Sequence, residues 1–170
     1  RRYNADASIV ILNKEPELLY SRVLLFQLLK HEVTEAQVFL RKLEEYQAKK
    51  IDIRTGVTVT KIDTANKIVV TDKGEIGYQK LLIASGGIPR KLGVLGENLP
   101  GIFYWRSIHD SRAIEQYVTG KKSAGVVGGG FIGLELAQAF VKFGLETNFF
   151  ILEEWFWQNM LGVESGKLLD

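Results

Sequence analysis

The stretch GVVGGGFIGLELAQAF, residues 125–140, joins a short apolar run to an apolar helix through a cluster of glycines. Glycine costs backbone entropy, so its repeated use at one junction indicates that the backbone there must stay bare. Three of these glycines, Gly128, Gly130 and Gly133, have the spacing GxGxxG. This spacing constrains the chain to a strand, a tight turn and a helix that packs closely against the strand.

The residues around the glycines provide the context that the motif requires. A buried apolar strand, SAGVV, precedes them, and TNFFIL, residues 147–152, is predicted to form a second one. In this β-α-β unit Gly128 allows the tight turn, Gly130 lets the backbone approach a pyrophosphate, and Gly133 lets helix and strand pack. The helix ends at Gly144. Free N–H groups at its start and the positive end of its dipole would bind the negative charge of the pyrophosphate. The alternative is a glycine-rich turn that binds no ligand.

A dinucleotide site also requires an acid at the end of the second strand, about 20 residues beyond the glycines, to bind the ribose hydroxyls. Counting from Gly133 leads to Glu153, with Glu154 beside it. The sequence therefore predicts a dinucleotide site formed by the glycine turn and Glu153.

The composition agrees with an ordinary globular protein and excludes several kinds of site. Hydrophobic residues make up 46% and charged residues 25%, and 22 basic against 20 acidic residues give a net charge of +2. Nothing here indicates a nucleic-acid partner, and the apolar runs are too short to span a membrane, so a cytoplasmic protein is expected. The absence of cysteine excludes a catalytic thiol, and the two histidines lack metal-ligand spacing, so no metal is expected.

The rest of the chain is predicted to alternate strands and helices. YSRVLLFQLLK, residues 20–30, has a helical pattern, and Thr34 and Gln37 have capping-box spacing ahead of an amphipathic helix over residues 38–50. The predicted strands are the buried runs SIVIL (8–12) and QKLLIASGG (79–87), the short strand IDIRT (51–55), and an antiparallel hairpin or meander of VTVTKID and KIVVTDKG (57–74).

Glycine and proline are dense in residues 86–101, which marks a long surface connection with a domain boundary near its end. Ser107 and Asp110 then have capping-box spacing and predict a helix that stops near Gly120. The sequence therefore predicts a domain boundary near Gly101. The chain begins without Met and ends within a predicted helix, so both ends are expected to be cuts in a longer protein.

Five motifs, taken in chain order, resemble the FAD- and NAD(P)H-dependent pyridine nucleotide-disulfide oxidoreductase superfamily. The match is closest to its rubredoxin/ferredoxin reductase, nitrite reductase large-subunit and NADH oxidase-like branches. The motifs are SIVILNKEPELLYSR, GVTVTKID, KLLIASGGIPR, GIFYWRSIHD and GGGFIGLELA. The resemblance covers essentially all 170 residues and implies an α/β, FAD/NAD(P)-binding Rossmann-like three-layer fold.

In this resemblance, residues 1–107 form a partial FAD-binding domain and residues 108–170 form the first half of an NAD(P)-binding domain. The family's opening strand and FAD glycine loop are expected before Arg1. Its second FAD segment and its dimerisation domain are expected after Asp170. This stretch alone is therefore expected to be inactive.

The resemblance implies a set of residues that contact FAD. Glu15 matches the acid that binds the adenosine ribose, and Asn13 occupies the strand-end position used in other branches; either side chain can accept hydrogen bonds from a diol. Arg22 matches a basic residue near the flavin. The alternatives are an exposed loop acid for Glu15 and a solvated arginine for Arg22. The remaining matches are Val59, whose backbone would contact adenine, and the small residues Ala84, Ser85 and Gly86, where the chain would pass close to the cofactor.

The resemblance also implies residues on the nicotinamide side. Phe131 matches an aromatic ring that gates the nicotinamide pocket, with packing at the helix start as the alternative. Glu135 matches an acid that orients the carboxamide, although a carboxylate on the first turn also suits the helix dipole. By family alignment the strand-end acid falls near Ile151, which leaves NADH and NADPH open. The implied NAD(P)H-binding residues are Gly128, Gly130, Ile132, Gly133 and Glu153.

The function implied by the resemblance is that of an FAD-dependent NAD(P)H oxidoreductase, in which electrons pass from the nicotinamide through the flavin to an external acceptor. The family's redox cysteine would fall near LLYSRV, so the absence of cysteine excludes a thiol route. An electron-transfer protein or dioxygen is then the expected acceptor, and a homo-oligomer is expected at full length. The alternative is a nucleotide-binding interaction module or a redox-sensing module with little turnover. The aromatic segment EEWFWQNM, residues 153–160, is interpreted as packing or a contact surface.

Overall fold

The computed structural model describes residues 4–158 and 160–168 of the chain. In chain order its elements are β1 (Ile9–Asn13), α1 (Leu25–Leu29), α2 (Glu35–Val38), α3 (Leu43–Ala48), β2 (Ile51–Thr55), β3 (Val59–Asp63), β4 (Ile68–Thr71), β5 (Gly74–Gly77), α4 (Ile108–Val118), β6 (Ser123–Val127), α5 (Phe131–Lys142), β7 (Glu146–Phe150) and α6 (Val163–Lys167). The chain divides into two compact units. Unit 1 comprises Phe39–Gly87 with the described residues up to Ser21, and unit 2 comprises Arg22–Val38 with the described residues from Ile88 onward.

Unit 1 contains a parallel strand pair and an antiparallel meander. β1 pairs with β2 in an unbroken register from Ile9 opposite Ile51 to Asn13 opposite Thr55, and α3 packs on β2. The predicted antiparallel pair is confirmed as β3 and β4, with an irregularity after Val59. Strand β5, which was not predicted, pairs with β4 and completes a meander. The buried side chains of this unit include Tyr20, Tyr46, Val57 and Val69.

Unit 2 is built on the predicted β6-α5-β7 motif. β6 pairs with β7 in parallel, from Ser123 opposite Glu146 to Val127 opposite Phe150. Helix α5 packs on both strands, and α1 packs on α4 and α5. Exposure alternates along β7, so one face of the strand pair is covered. The core side chains here include Leu25, Leu29, Val38, Trp105, Ile108, Ile114, Val126, Ala139, Phe140 and Leu145.

The helix predicted from Ser107 and Asp110 is confirmed as α4. The Asp110 N–H donates to Ser107 Oγ at 3.2 Å, and the Ser107 N–H donates to the Asp110 carboxylate at 2.7 Å. This capping box satisfies N–H groups that have no partner within the helix. Residues local to the helix start therefore fix where α4 begins.

The single helix predicted over residues 38–50 is wrong, because tertiary pairing divides the region into α2 and α3. Phe39 forms an antiparallel bridge with Tyr20, and backbone groups used in such a bridge cannot also join a helix. Half of the predicted capping box is present: the Thr34 N–H donates to Gln37 Oε1 at 2.8 Å, but the Gln37 N–H donates to the Thr34 carbonyl rather than to its hydroxyl. The helix that it starts has only four residues.

The predicted buried strand QKLLIASGG, residues 79–87, is also wrong. The segment forms no strand, and Leu82 and Ile83 are 87% and 67% exposed. An apolar run becomes a buried strand only when neighbouring elements pair with it and cover its faces. Within the described ranges no strand pairs with this segment.

The other buried runs, SIVIL, SAGVV and TNFFIL, are confirmed as parallel strands β1, β6 and β7 but not as fully buried ones. Val10 and Ile11 of β1 are more than one-third exposed, as are Val127 of β6 and Phe150 of β7. The prediction assumed helices on both faces of a parallel sheet. In the described part of the chain each pair has only two strands, and the packed helices leave much of their surface exposed.

The compact units do not follow the predicted domains. The connection over residues 86–101 is exposed along most of its length, as predicted. Contact density divides the chain after Gly87 and groups Arg22–Val38 with the later residues. The division after residue 107 separates the FAD-binding domain from the NAD(P)-binding domain that the resemblance implies. It is a different division from that into compact units, and it stays a prediction.

Candidate nucleotide-binding site

The turn between β6 and α5 begins with a backbone conformation that glycine adopts readily and other residues do not. Gly128 has φ +113°, outside the regions that side chains tolerate well. Its N–H donates to the Phe150 carbonyl at 2.8 Å. The first glycine of the motif is therefore required by the turn, which is fixed to the end of β7.

The third glycine of the motif is required by close packing. Gly133 is buried, and a Cβ built on it would overlap the carbonyl oxygen of Gly128 and lie 3.1 Å from the Phe149 ring. A side chain would fit there only if the turn or β7 moved. Gly133 therefore lets α5 approach the strand pair, as the motif predicts.

Gly130, in contrast, is not required by any described atom. Its φ of −79° and ψ of 176° are ordinary extended values, and a Cβ built on it would meet no atom within 4 Å. Gly130 is the N-cap of the twelve-residue helix α5 and makes no side-chain capping bond. The backbone of Gly130 is therefore uncovered at the start of the helix, and a side chain at this position would fill the space beside it.

The structure brings the predicted ribose acid to this turn. A Cβ built on Gly129 would lie 3.7 Å from Glu153 Oε2 and 2.9 Å from Ile151 Cγ2. Both positions considered for the end of the second strand thus lie beside the turn, and Glu153 is exposed. A carboxylate next to the helix start is where the dinucleotide fold requires one.

Three further predicted residues lie at the start of α5. Phe131 and Ile132 are 59% and 50% exposed, and the Phe131 ring centroid is 4.8 Å from that of Trp157. Glu135 is half-buried, and this burial raises the pKa of its carboxyl. All three residues lie in the first part of α5, directly after Gly130. Their roles toward a nicotinamide stay predictions.

The loop after β1 holds Glu15 through hydrogen bonds. Asn13 Oδ1 accepts from the Glu15 N–H at 3.2 Å, and Asn13 Nδ2 donates to the Glu17 carbonyl at 2.8 Å. The Gly56 N–H donates to the Glu15 carbonyl at 3.1 Å, and the Tyr20 hydroxyl donates to the Glu15 carboxylate. Asn13 therefore shapes the loop, while Glu15 is the acid whose carboxylate is oriented.

The other residues predicted to contact FAD are placed separately. Val59 begins β3 and is 42% exposed. Arg22 belongs to unit 2, where its guanidinium donates to the Arg106 carbonyl at 2.8 Å. The remaining three, Ala84, Ser85 and Gly86, belong to unit 1 and lie in the exposed segment that forms no strand.

Two residues that contact the predicted site residues were not predicted from the sequence. Tyr20 is buried and donates to Glu15, and a tyrosine five residues after a loop acid is too common a pattern to indicate this. Trp157 contacts Phe131 and lies in the aromatic segment that the sequence interpretation assigned to packing or a contact surface.

Two features are absent from residues 4–158 and 160–168. No group there of three or more His, Asp or Glu side chains could hold a metal ion. None of the helices found in those ranges has the length and apolar character needed to cross a membrane.

A β-α-β unit with this glycine turn is the nucleotide-binding form of the α/β fold. The family model described as pyridine nucleotide-disulphide oxidoreductase matches residues 1–167, and the chain belongs to this family. The match confirms the predicted resemblance and, with the solved structures below, the predicted fold class.

The similar proteins include several oxidoreductases. The chain is 32% identical over 165 residues to nitrite reductase (NAD(P)H) of Bacillus subtilis, covering 96% of this chain and 20% of that protein. It is 36% identical over 156 residues to NADH oxidase of Methanocaldococcus jannaschii, covering 86% and 35%. The crystal structure of NADH:rubredoxin oxidoreductase from Clostridium acetobutylicum matches with a TM-score of 0.86 at 31% identity, covering 95% of this chain and 42% of that one. The chain thus spans between 20% and 42% of the length of these proteins.

Proposed function

We propose that the chain is part of an FAD-dependent NAD(P)H oxidoreductase that passes electrons from a nicotinamide dinucleotide through the flavin to an external acceptor, without a redox cysteine. Residues 128–133 form the turn that binds the dinucleotide diphosphate. One observation carries this proposal: Gly128 and Gly133 are required by the fold, whereas Gly130 between them is not. A bare backbone that packing does not need indicates close approach of a ligand.

The start of α5 supplies the groups that a diphosphate needs. The Leu134 N–H donates to the Gly130 carbonyl at 3.1 Å, so the N–H groups before it have no acceptor within the helix. The first turn carries no acidic residue that would oppose an anion, because Glu135, predicted on that turn, is the fifth residue of α5 and lies in the second turn. These N–H groups and the positive end of the helix dipole therefore favour a bound phosphate.

Glu153 is the proposed acceptor for the adenosine ribose hydroxyls. Its carboxylate lies beside Gly129, where it can accept two hydrogen bonds from a diol. The same negative charge would repel a 2′-phosphate. We therefore expect a preference for NADH over NADPH.

Phe131 and Glu135 are the proposed contacts of the nicotinamide ring. When bound, the nicotinamide supplies a hydride and the flavin accepts it. The exposed ring of Phe131 can cover the nicotinamide and exclude water. Burial raises the pKa of Glu135, and the oxygens of its carboxyl group can accept hydrogen bonds from the N–H₂ group of the carboxamide.

Among the residues predicted to contact FAD, Glu15 is better suited than Asn13 to bind the adenosine ribose. Tyr20 orients its carboxylate, and Asn13 and Gly56 fix its backbone. We therefore assign Glu15, rather than Asn13, to the adenosine ribose of FAD. The roles of Arg22, Val59, Ala84, Ser85 and Gly86 rest on the family resemblance.

The electron acceptor is proposed to be a small electron-transfer protein. Rubredoxin reductases recur among the similar proteins, while one relative is named an NADH oxidase. Measuring rubredoxin reduction against oxygen consumption distinguishes the two acceptors. A homo-oligomer and a cytoplasmic location are expectations for the whole protein.

Gly130→Ala tests the turn. The added methyl group meets no described atom, so the fold should be retained with only the small loss of stability that alanine causes at an N-cap, but the methyl occupies the proposed space of the diphosphate. Calorimetry should show that NAD⁺ and ADP-ribose bind at least about tenfold more weakly, a loss of about 1.4 kcal/mol. Gly77→Ala is the matched control, because Gly77 is equally uncovered and lies in β5 of the meander.

Unchanged binding by Gly130→Ala would mean that the diphosphate docks elsewhere. Anaerobic titration of the full-length protein with NADH and then NADPH tests the flavin and the donor together. A yellow preparation that NADH bleaches is the expected result. A colourless protein, or one that neither nucleotide bleaches, would favour the alternative of a binding module without turnover.

A further inference from the structure

The three tryptophans of the chain differ in how their indole N–H groups are satisfied. The Trp105 N–H donates to Ser111 Oγ at 2.7 Å, and the Trp155 N–H donates to the Leu161 carbonyl at 3.2 Å. The Trp157 N–H is buried and has no partner within the described ranges. A buried donor without a partner destabilises the fold, so an apolar side chain would suit packing better at this position.

The backbone of Trp157 is also unfavourable. Its φ is +56°, a left-handed conformation that bulky residues rarely adopt. The Met160 and Leu161 N–H groups donate to the Trp157 carbonyl at 2.7 and 2.8 Å and hold the turn in place. Strain of this kind persists where the surroundings over-determine a conformation and is concentrated at functional sites.

The rings on either side of Trp157 explain how its position is fixed. Phe156 contacts Phe149 of β7 with ring centroids 5.1 Å apart. Trp155 packs against Gly166 of α6 so closely that a Cβ on Gly166 would overlap its indole. Trp157 is thus held between two anchored neighbours, and its own ring reaches Phe131 at 4.8 Å with the ring planes tilted by 43°.

We propose that Trp157 is a positioning residue that fixes the ring of Phe131 at the nicotinamide end of the nucleotide site. The inference rests on the proposed function, because it takes Phe131 as the ring that covers the nicotinamide. Glu153 lies four residues before Trp157 in the same segment. One short stretch of chain therefore contacts both the glycine turn and the ring at the start of α5.

A binding experiment on the intact protein separates this role from simple packing. NAD⁺ and ADP-ribose share the diphosphate and the adenosine, and only NAD⁺ carries the nicotinamide. The ratio of their dissociation constants, measured by calorimetry, isolates the nicotinamide contribution without turnover. We compare native protein with Phe131→Leu, Trp157→Leu, Trp157→Phe and the double variant Phe131→Leu/Trp157→Leu.

Trp157→Leu should change this ratio by about two- to tenfold, the range that an aromatic pair contributes, and in the same direction as Phe131→Leu. The double variant should show no more change than Phe131→Leu alone, because Trp157 acts through that ring. Trp157→Phe keeps a ring against Phe131 and should restore the native ratio. Tyr117→Leu, which removes one ring of the separate Phe103–Tyr117 pair, is the matched control and should leave the ratio unchanged.

Additive effects in the double variant, or a Trp157→Leu effect that is equal for both ligands, would overturn the inference. If Trp157→Leu does not fold, as judged by circular dichroism, Trp157→Met provides the same cycle with a longer apolar side chain. A native protein that does not bind ADP-ribose would instead overturn the proposed function, and with it the basis of this inference.

Discussion

The two parallel strand pairs, β1–β2 and β6–β7, have equal length and unbroken register, but the chain leaves their first strands in different ways. After β1 the loop is built by a side chain, because Asn13 bonds to the backbone of Glu15 and Glu17. After β6 the turn is built without side chains, at Gly128 and Gly133. The first arrangement orients a carboxylate, and the second exposes backbone N–H groups.

The helices that follow differ in the same sense. Three helices of four to six residues, α1 to α3, lie between β1 and β2 in the chain, whereas one helix of twelve residues joins β6 to β7. A dipole and a row of N–H groups aimed at one point require a regular helix. Binding of a ligand by backbone N–H groups therefore needs a regular strand and helix on the two sides of the turn. Binding by a side chain, such as the Glu15 carboxylate, does not need them.

The largest expected effect comes from adding a side chain where the turn has none. Gly133→Ala places a methyl group against the Gly128 carbonyl and the Phe149 ring, and such overpacking costs about 1–3 kcal/mol. The free energy of unfolding, from urea denaturation, should fall by that amount, and by less in Gly130→Ala, where the methyl meets no described atom and only the N-cap preference for glycine is lost. Equal stability of the two variants would contradict the claim that the turn after β6 is built without side chains, because the turn would then not depend on a bare backbone at Gly133.

A smaller effect is expected from removing the side chain that builds the other loop. Asn13→Ala loses two half-buried hydrogen bonds, and the free energy of unfolding should fall by about 1–2 kcal/mol. Asn13→Asp keeps the acceptor for the Glu15 N–H and should lose less. A native-like urea midpoint for Asn13→Ala would show that this side chain does not shape the loop.

The smallest effects are expected from pH, with opposite signs in the two helices that pack on these strand pairs. Burial raises the pKa of Glu135 on α5, so its relative contribution to stability is present at low pH and is lost as the pH rises through that pKa. The Lys42 N–H donates to the Glu45 carboxylate at the start of α3 and lowers its pKa. The contribution of Glu45 is therefore present at neutral pH and lost as the pH falls through the lowered pKa.

Urea midpoints measured from about pH 3 to about pH 7 check these signs. Relative to native protein, Glu135→Gln should gain stability toward neutral pH, and Glu45→Gln should lose it there. Parallel pH profiles for the two variants would contradict the assigned environments.

The parts of the fold that depend on neighbouring residues could be predicted from the sequence. The Ser107–Asp110 spacing gave the start of α4, alternation gave the antiparallel pair of β3 and β4, and the glycine spacing gave the β6-α5-β7 unit. The long helix over residues 38–50 failed because Phe39 pairs with Tyr20, a contact between distant residues that no local pattern encodes. The run at 79–87 failed for a related reason, since the burial of an apolar strand is decided by other elements.

The residues of the candidate site likewise fall into those that could be predicted from the sequence and those that could not. The glycine turn and the count to Glu153 could be predicted, because spacing in a β-α-β unit fixes both, and the structure places Glu153 beside Gly129. The contributions of Tyr20 and Trp157 could not, because they depend on where a side chain points across the fold. What each residue binds stays a prediction.

The uncovered position at Gly130 has a practical consequence. Because a methyl group there touches no described atom, a library screened for yield or for melting temperature would retain alanine at this site. Such a screen would accept a well-behaved protein whose proposed diphosphate cradle is filled. Selection on retained nucleotide, for instance by elution from an immobilised adenosine phosphate, would remove it.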